Sequence, residues 1–341
     1  MSTRNDSPNK ANGSTEALLK RIAKLLGMLV LAILVVFLVI GLLPVPLGGF
    51  ESAPDPAKDF EEALRRFDEI LADEESIANE ASGSHLMTHG DSTERVYVLI
   101  HGTTNSPLQF VELGDRLYAR GHNVLILRMP YHGLNSHRVS ELKRLKAEDL
   151  RDYADDTIDI AVGLGDEIHV AGISGGGAVT SWIAQNRPDV ERVVLLSPFF
   201  GIAHTPFWVD TLLMDFFARV PNVVFDNPTE PRRDWVYRGE ASRGMAEFMR
   251  LGRAVLKQAQ SARPAVIDII LVTTASDSTA DNRATDRLVE IWEKSGADIV
   301  SYEFAAPREI PHNSIDPAAD PQKKESVYAK ILELLGEQPP Q

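Results

Sequence analysis

The stretch Ile168-His169-Val170-Ala171-Gly172-Ile173-Ser174-Gly175-Gly176-Gly177-Ala178 decides the fold. An apolar run of strand type, Ile168–Ala171, meets a glycine cluster and then a helical pattern over Gly177–Asn186. The spacing Gly172-x-Ser174-x-Gly176 is weak alone, but between a buried strand and a helix it has a geometric meaning. A sharp strand-to-helix turn lifts the serine hydroxyl off the sheet edge, and small neighbours let adjoining backbone pass close. A phosphate-binding loop would need Gly-Lys-Ser/Thr and a dinucleotide loop the G-x-G-x-x-G spacing; neither occurs here. Ser174 is therefore the candidate nucleophile.

Outward from this elbow, short apolar runs of the buried-strand kind recur at Val96–Ile100, Val124–Leu127, Val193–Leu196, Ile267–Val272 and Ile299–Phe304. Helical patterns lie between and after them, near Gln109–Arg120, Ala147–Gly163, Asp281–Lys294 and Gln322–Leu335. Such alternation implies an α/β domain, a mostly parallel sheet flanked by helices on both faces, here over residues 91–341. Between Phe199 and Ala262 the rhythm breaks and only helical pattern appears, which reads as a helical cap inserted at about 199–262. Asp59–Ala81 is acidic and helical in period, with Phe60, Leu64, Phe67 and Leu71 on one face, as expected of a helix packed on the main domain.

A serine hydroxyl needs a base, and histidine has the right chemistry near neutrality. Seven of the nine histidines precede Ser174. When the partners follow the serine in the order acid then histidine, only His204 and His312 remain. His204 sits in the apolar insertion with no strand before it to supply an acid, whereas His312 lies in a loop between the last strand and the last helix. The acid belongs just past the preceding strand, where Ala275-Ser276-Asp277 stands; Asp281, directly before a helix, has the look of a cap. Acyl transfer also needs N–H donors for the developing oxyanion. One is expected from Gly175, after the nucleophile, and one from His101-Gly102-Thr103-Thr104 after the first core strand, with Thr103 the favoured position.

These pieces, together with Pro130-Tyr131-His132-Gly133, resemble the bacterial α/β-hydrolases grouped with carboxylesterases and monoacylglycerol-lipase-like enzymes. The resemblance covers Arg95 to about Leu335, and the shared order of motifs is more specific than any one of them. It implies the α/β-hydrolase fold, a triad of Ser174, Asp277 and His312, backbone donors at Thr103 and Gly175, and no metal or organic cofactor. In that family a Pro-Gly-His-Gly loop often fills the Pro130–Gly133 position; Tyr131 replaces its first glycine here, so His132 is read as structural. The expected reaction is cleavage of carboxylic (acyl) esters through an acyl-enzyme. An envelope acyltransferase, a peptidase of small substrates and a non-catalytic receptor are the alternatives, and the intact triad argues against the last.

From Leu25 to Phe50 no residue is charged. About 20 apolar residues suffice to cross a bilayer, so residues 25–43 read as one N-terminal transmembrane helix. Arg4, Lys10, Lys20, Arg21 and Lys24 precede the run and Glu51 and Asp55 follow it, which places a tail of residues 1–24 in the cytoplasm and the catalytic domain outside. A cleaved signal peptide would have a shorter apolar core and a better small-residue site than Ala53-Pro54. Residues 44–90 form a linker and helix, Met1–Thr15 a disordered tail, and a fragment starting near Glu51 is expected to hold the soluble domain. The net charge of −14 speaks against a nucleic-acid partner, and the absence of cysteine excludes disulfides and thiol catalysis.

Six aromatics stand between Phe199 and Phe217, and Val209, Leu212, Leu213, Phe216, Phe217 and Val220 keep helical spacing on one face. Most of that stripe is expected to pack on the domain. Phe207 and Trp208 are the expected substrate-binding residues, giving a preference for short-to-medium acyl chains.

Overall fold

The computed structural model describes residues 9–228 and 231–338. Seven strands form one sheet in the order β1-β3-β2-β4-β5-β8-β9. They are β1 His85–Met87, β2 Thr93–Ile100, β3 Asn123–Ile126, β4 Gly165–Ile173, β5 Arg192–Leu196, β8 Asp268–Thr274 and β9 Asp298–Phe304. All neighbours pair in parallel except β1, which runs antiparallel to β3 at the edge. The six strands expected from the apolar runs are present. The edge strand β1 escapes a periodicity reading because it is three residues long and half-buried throughout.

Alternation within each strand divides the core. Val96, Val98 and Ile100 face one apolar layer and Tyr97 and Leu99 the other. The first layer is closed by α4 (Ala147–Val162), α5 (Gly175–Asn186), α7 (Ser242–Ala259) and α8 (Asn282–Lys294), the second by α3 (Leu108–Tyr118) and α9 (Pro321–Leu335). Asp281 caps α8, accepting a bond from the Arg283 N–H, as its position implied.

Two expectations need correction. The insertion is not purely helical: besides α6 (Phe207–Phe217) it carries a short hairpin, β6 (Val224–Phe225) with β7 (Glu240–Ala241). Its last helix, α7, belongs to the body, since Phe248, Met249, Leu251, Ala254 and Val255 are fully buried in the main core. The acidic helix α2 spans Phe60–Glu74 with Asp59 as its N-cap, stopping before Ala81; Glu74 is buried, where it accepts bonds from Ser84 and Arg128.

The N-terminal helix α1 runs Asn9–Gly41, so Asn9–Thr15 is helical; Met1–Pro8 lies outside the described residues. Among the described residues its segment Thr15–Gly41 is the one stretch long and apolar enough to cross a membrane, and none of its most apolar window is buried. The residues that follow are not a free linker. Val45 N–H donates to Asp215 at 2.6 Å and Arg219 reaches the Pro44 carbonyl at 2.8 Å. Phe50 is 1% exposed, inside the main core, and Trp182 Nε1 donates to its carbonyl at 2.8 Å. Beyond it Ser52 and Ala53 bond to Asp155, and Asp55 N–H to Asp159. Those aspartates, with Asp189, enclose the fully buried guanidinium of Arg187. Residues 44–57 thus form a strap pinned to the domain, with Phe50 and Ala57 buried in it.

Candidate active site

Close approach dictates the elbow. Ser174 lies between the end of β4 and the start of α5 with φ 57° and ψ −119°, a left-handed backbone that costs about 1–3 kcal/mol outside glycine. A β-carbon at Gly176 would collide with the Ile100 carbonyl, and one at Gly172 with Thr180 and the Gly176 carbonyl. These glycines are the reason the turn can sit so tightly against β2. The Ser174 carbonyl accepts N–H bonds from Ala178 and Phe199, each within 3.1 Å, which fixes the turn from both sides.

His312 stands in the loop between β9 and α9, and Asp277 in the turn after β8. Asp277 Oδ2 lies 2.7 Å from His312 Nδ1, while its Oδ1 accepts N–H bonds from Thr279 and Ala280 at 2.8 and 2.9 Å. Burial raises the Asp277 pKa, but the His312 bond and these backbone donors outweigh it and hold the carboxyl below its ordinary value. The carboxylate therefore stays charged and fixes the imidazole with Nδ1 as donor, leaving Nε2 as the basic nitrogen. Nε2 is buried without a hydrogen-bond partner. Both Ser174 and His312 line a single cavity of about 240 Å³. The loop bearing His312 is held by the Ile310 carbonyl, which accepts bonds from Thr274 Oγ1 and Ser276 Oγ at 3.0 and 2.9 Å.

The loop after β2 presses against the elbow. An added β-carbon on Gly102 would lie 3.5 Å from Ser174 Cβ, and one on Gly175 2.5 Å from Thr103 Cγ2. Thr103 lines the cavity, and Gly175 opens α5, whose first N–H groups have no partner within the helix. Neighbours hold this loop. Gln109 Oε1 accepts the Gly102 N–H at 2.8 Å, and His132 Nε2 meets the Thr103 carbonyl at 2.6 Å. Burial pushes His132 down to about 4 and His101 well below the ordinary histidine value, so both rings stay neutral and serve as rigid hydrogen-bonding struts. His132 thus has the structural place expected of it.

The remaining cavity wall comes from Phe225, Val236, Tyr237, Gly239 and Glu240 of the β6–β7 hairpin, with Thr279 and Asn313. No local sequence pattern marked these residues, because they reach Ser174 only through a hairpin separated from it in the chain. Phe207 and Trp208 lie elsewhere. Phe207 is stacked under the guanidinium groups of Arg253 and Arg287, and Trp208 is 69% exposed. Neither borders the cavity; the aromatics that do are Phe225 and Tyr237. His204 is exposed and also outside it. A larger hollow of about 580 Å³ shares Val236 as a wall and is lined by Arg138, Arg232, Arg233 and Arg238; neither Ser174 nor His312 borders it.

Among solved structures, the chain is similar to a monoacylglycerol lipase from Paleococcus ferrophilus, with a TM-score of 0.57 and 21% identity over 75% of this chain and 98% of that one. It is also similar to a structure from work on LipS and LipT, two metagenome-derived lipolytic enzymes, with a TM-score of 0.55 and 14% identity over 76% and 100% of the two chains. No curated protein matches. At such identities these likenesses speak for the fold. The sequence itself supplies the rest: residues 97–313, from β2 to the residue after His312, match the model described as "Alpha/beta hydrolase family", and the chain belongs to that family.

Proposed function

We propose that the protein hydrolyses carboxylic esters through an acyl-enzyme on Ser174. The observation that carries this reading is the Asp277–His312 pair at 2.7 Å, whose free Nε2 and the elbow serine border the same cavity. His312 Nε2 takes the Ser174 hydroxyl proton as Oγ attacks the ester carbonyl. Thr103 and Gly175 N–H groups, with the N-terminus of α5 behind them, receive the oxyanion. Collapse of the tetrahedral intermediate expels the alcohol, which leaves with the proton from His312. Water, deprotonated by the same imidazole, then releases the acid and restores the serine.

The cavity, at about 240 Å³, is smaller than the ~300–1,000 Å³ usual for ligand pockets, which suits the reacting end of an acyl group. The chain is held to a membrane by α1, with the catalytic domain outside the cytoplasm. Support comes from the apolar span, its basic N-terminal flank and the pinned strap, because cleavage at Ala53 would strip Phe50 from the core.

Ser174→Ala tests the catalytic reading. With p-nitrophenyl esters from acetate to palmitate, the wild type is expected to turn over the shorter members and react with a fluorophosphonate probe, and the variant to do neither. Undiminished labelling of the alanine variant would overturn the assignment.

A further inference from the structure

Helix α6 has the wrong polarity for a helix facing water. Its buried residues are Asp210, Met214 and Asp215, while Leu212, Leu213, Phe216 and Phe217 are only half-covered and Trp208 is exposed. The carboxylates are turned inward for stated reasons: Asp215 accepts the Val45 N–H of the strap at 2.6 Å, and Asp210 the Ile202 N–H at 3.2 Å. A soluble cap helix places such residues the other way round.

The apolar face has a neighbour, and it is the membrane-spanning candidate. The Phe37 ring of α1 sits 4.3 Å from that of Phe216, and Gly41 lies directly against Leu212. Phe216 meets Phe217 at 5.5 Å, and Phe217 meets Phe225 at 6.0 Å. Phe225 is a wall of the Ser174 cavity and is still 47% exposed on its outer side, next to exposed Val223 and Val224. A continuous line of aromatic rings therefore leads from the end of α1 to the wall of the cavity that holds Ser174.

We infer that the face of α6 and the 223–225 segment is seated on the lipid bilayer, and that Ser174 draws its ester from the bilayer along Phe216, Phe217 and Phe225. This rests on the esterase reading and adds the source and class of substrate: an acyl ester whose chain resides in lipid. The polar ester end enters the small cavity and the rest of the chain lies along the ring line. The surface belongs to a bilayer because it continues the face of α1, which must itself meet lipid if it spans.

The test uses the full-length chain in phosphatidylcholine vesicles. Acyl chains brominated near the headgroup should quench Trp208, read as the difference between wild type and Trp208→Phe. Trp208→Glu alters an exposed side chain outside the cavity. It should lower kcat/KM for 4-methylumbelliferyl oleate in the vesicles by about fivefold or more and leave soluble p-nitrophenyl acetate within about twofold. Phe217→Gln should act in the same direction. Loss of both activities together would mark a purely structural role and overturn the inference, as would unchanged use of both esters. Absence of quenching, with cross-linking between copies through a cysteine placed at 208, would make the face a contact between two chains and overturn it equally. If the wild type cleaves neither ester, the esterase reading fails and with it the route to Ser174, while quenching alone still decides whether α6 meets lipid.

Discussion

Asn105 Nδ2 donates to Asp316 Oδ2 across 2.8 Å, and both side chains are buried. The bond ties the loop that holds Thr103 to the loop that carries His312, so the proposed oxyanion donor and the proposed base share one brace. Asn105→Ala should remove a bond to a buried carboxylate worth about 1.5–3 kcal/mol and lower the melting temperature. Because the brace sets the geometry of both loops, kcat should fall by roughly tenfold or more. An unchanged kcat in a destabilised variant would show that the two loops are positioned independently.

Ser174 stores backbone strain in the turn between β4 and α5. At φ 57°, glycine should relieve about 1–3 kcal/mol, less the ~0.5–1 kcal/mol it adds to the entropy of the unfolded chain. Ser174→Gly is thus expected to be inactive and more stable than wild type by about 1 kcal/mol, whereas Ser174→Ala keeps the strain and should be near neutral. Denaturant midpoints of the three proteins check the order.

The pH dependence of stability has one well-defined contributor far from the site. Glu337 accepts bonds from Tyr97 and Arg95 and pairs with His122 at 3.0 Å. Burial opposes its charge, but these partners prevail and bring its pKa from 4.5 down to about 2. A folded-state value below the unfolded one means the stabilisation is complete above the ordinary carboxylate range and fades as pH falls toward 2. Its size is at most about 3 kcal/mol. Glu337→Gln should accordingly be less stable than wild type at pH 7, and the gap should close between about pH 5 and pH 2. A gap independent of pH would remove Glu337 from the acid response.

Phe50 belongs to the main core. Its truncation to alanine should cost about 3–5 kcal/mol, because the side chain is fully enclosed in the main core. A fragment starting at Pro44 should fold cooperatively, and one starting at Glu51, lacking Phe50, should melt markedly lower or aggregate. Equal melting temperatures for the two fragments would show that the strap adds nothing to the core.

The sheet and the elbow were legible because each strand carries its own periodicity and because Gly172, Gly175 and Gly176 record close contacts that exclude a β-carbon. The histidine and acid followed from chain order: the loops after β8 and β9 bring Asp277 and His312 together at 2.7 Å, as that order implied. The cavity wall was not legible. Phe225 and Tyr237 arrive through a short hairpin with no strand-length signal, and the stripe on α6 was read as facing the domain because composition gives a face but not its neighbour. Phe207 shows the same limit, since an aromatic within the insertion turned out to stack with two arginines. Phe50 was hidden by the apolar run it ends, where one buried ring cannot be told from membrane-spanning residues by hydropathy.

The strap also sets an order of events. Helix α1 leaves the ribosome early, yet the groups that seat Phe50 arrive late: Trp182 bonds its carbonyl from 132 residues downstream and Gln258 from 208. Until α5 and α7 have been made, the stretch after α1 has nothing to close upon, and contacts of such separation form slowly. Folding of the domain therefore ends with the chain closing back on its own N-terminal segment. A nascent chain interrupted before Gln258 would carry Phe50 exposed, an apolar mark of unfinished synthesis.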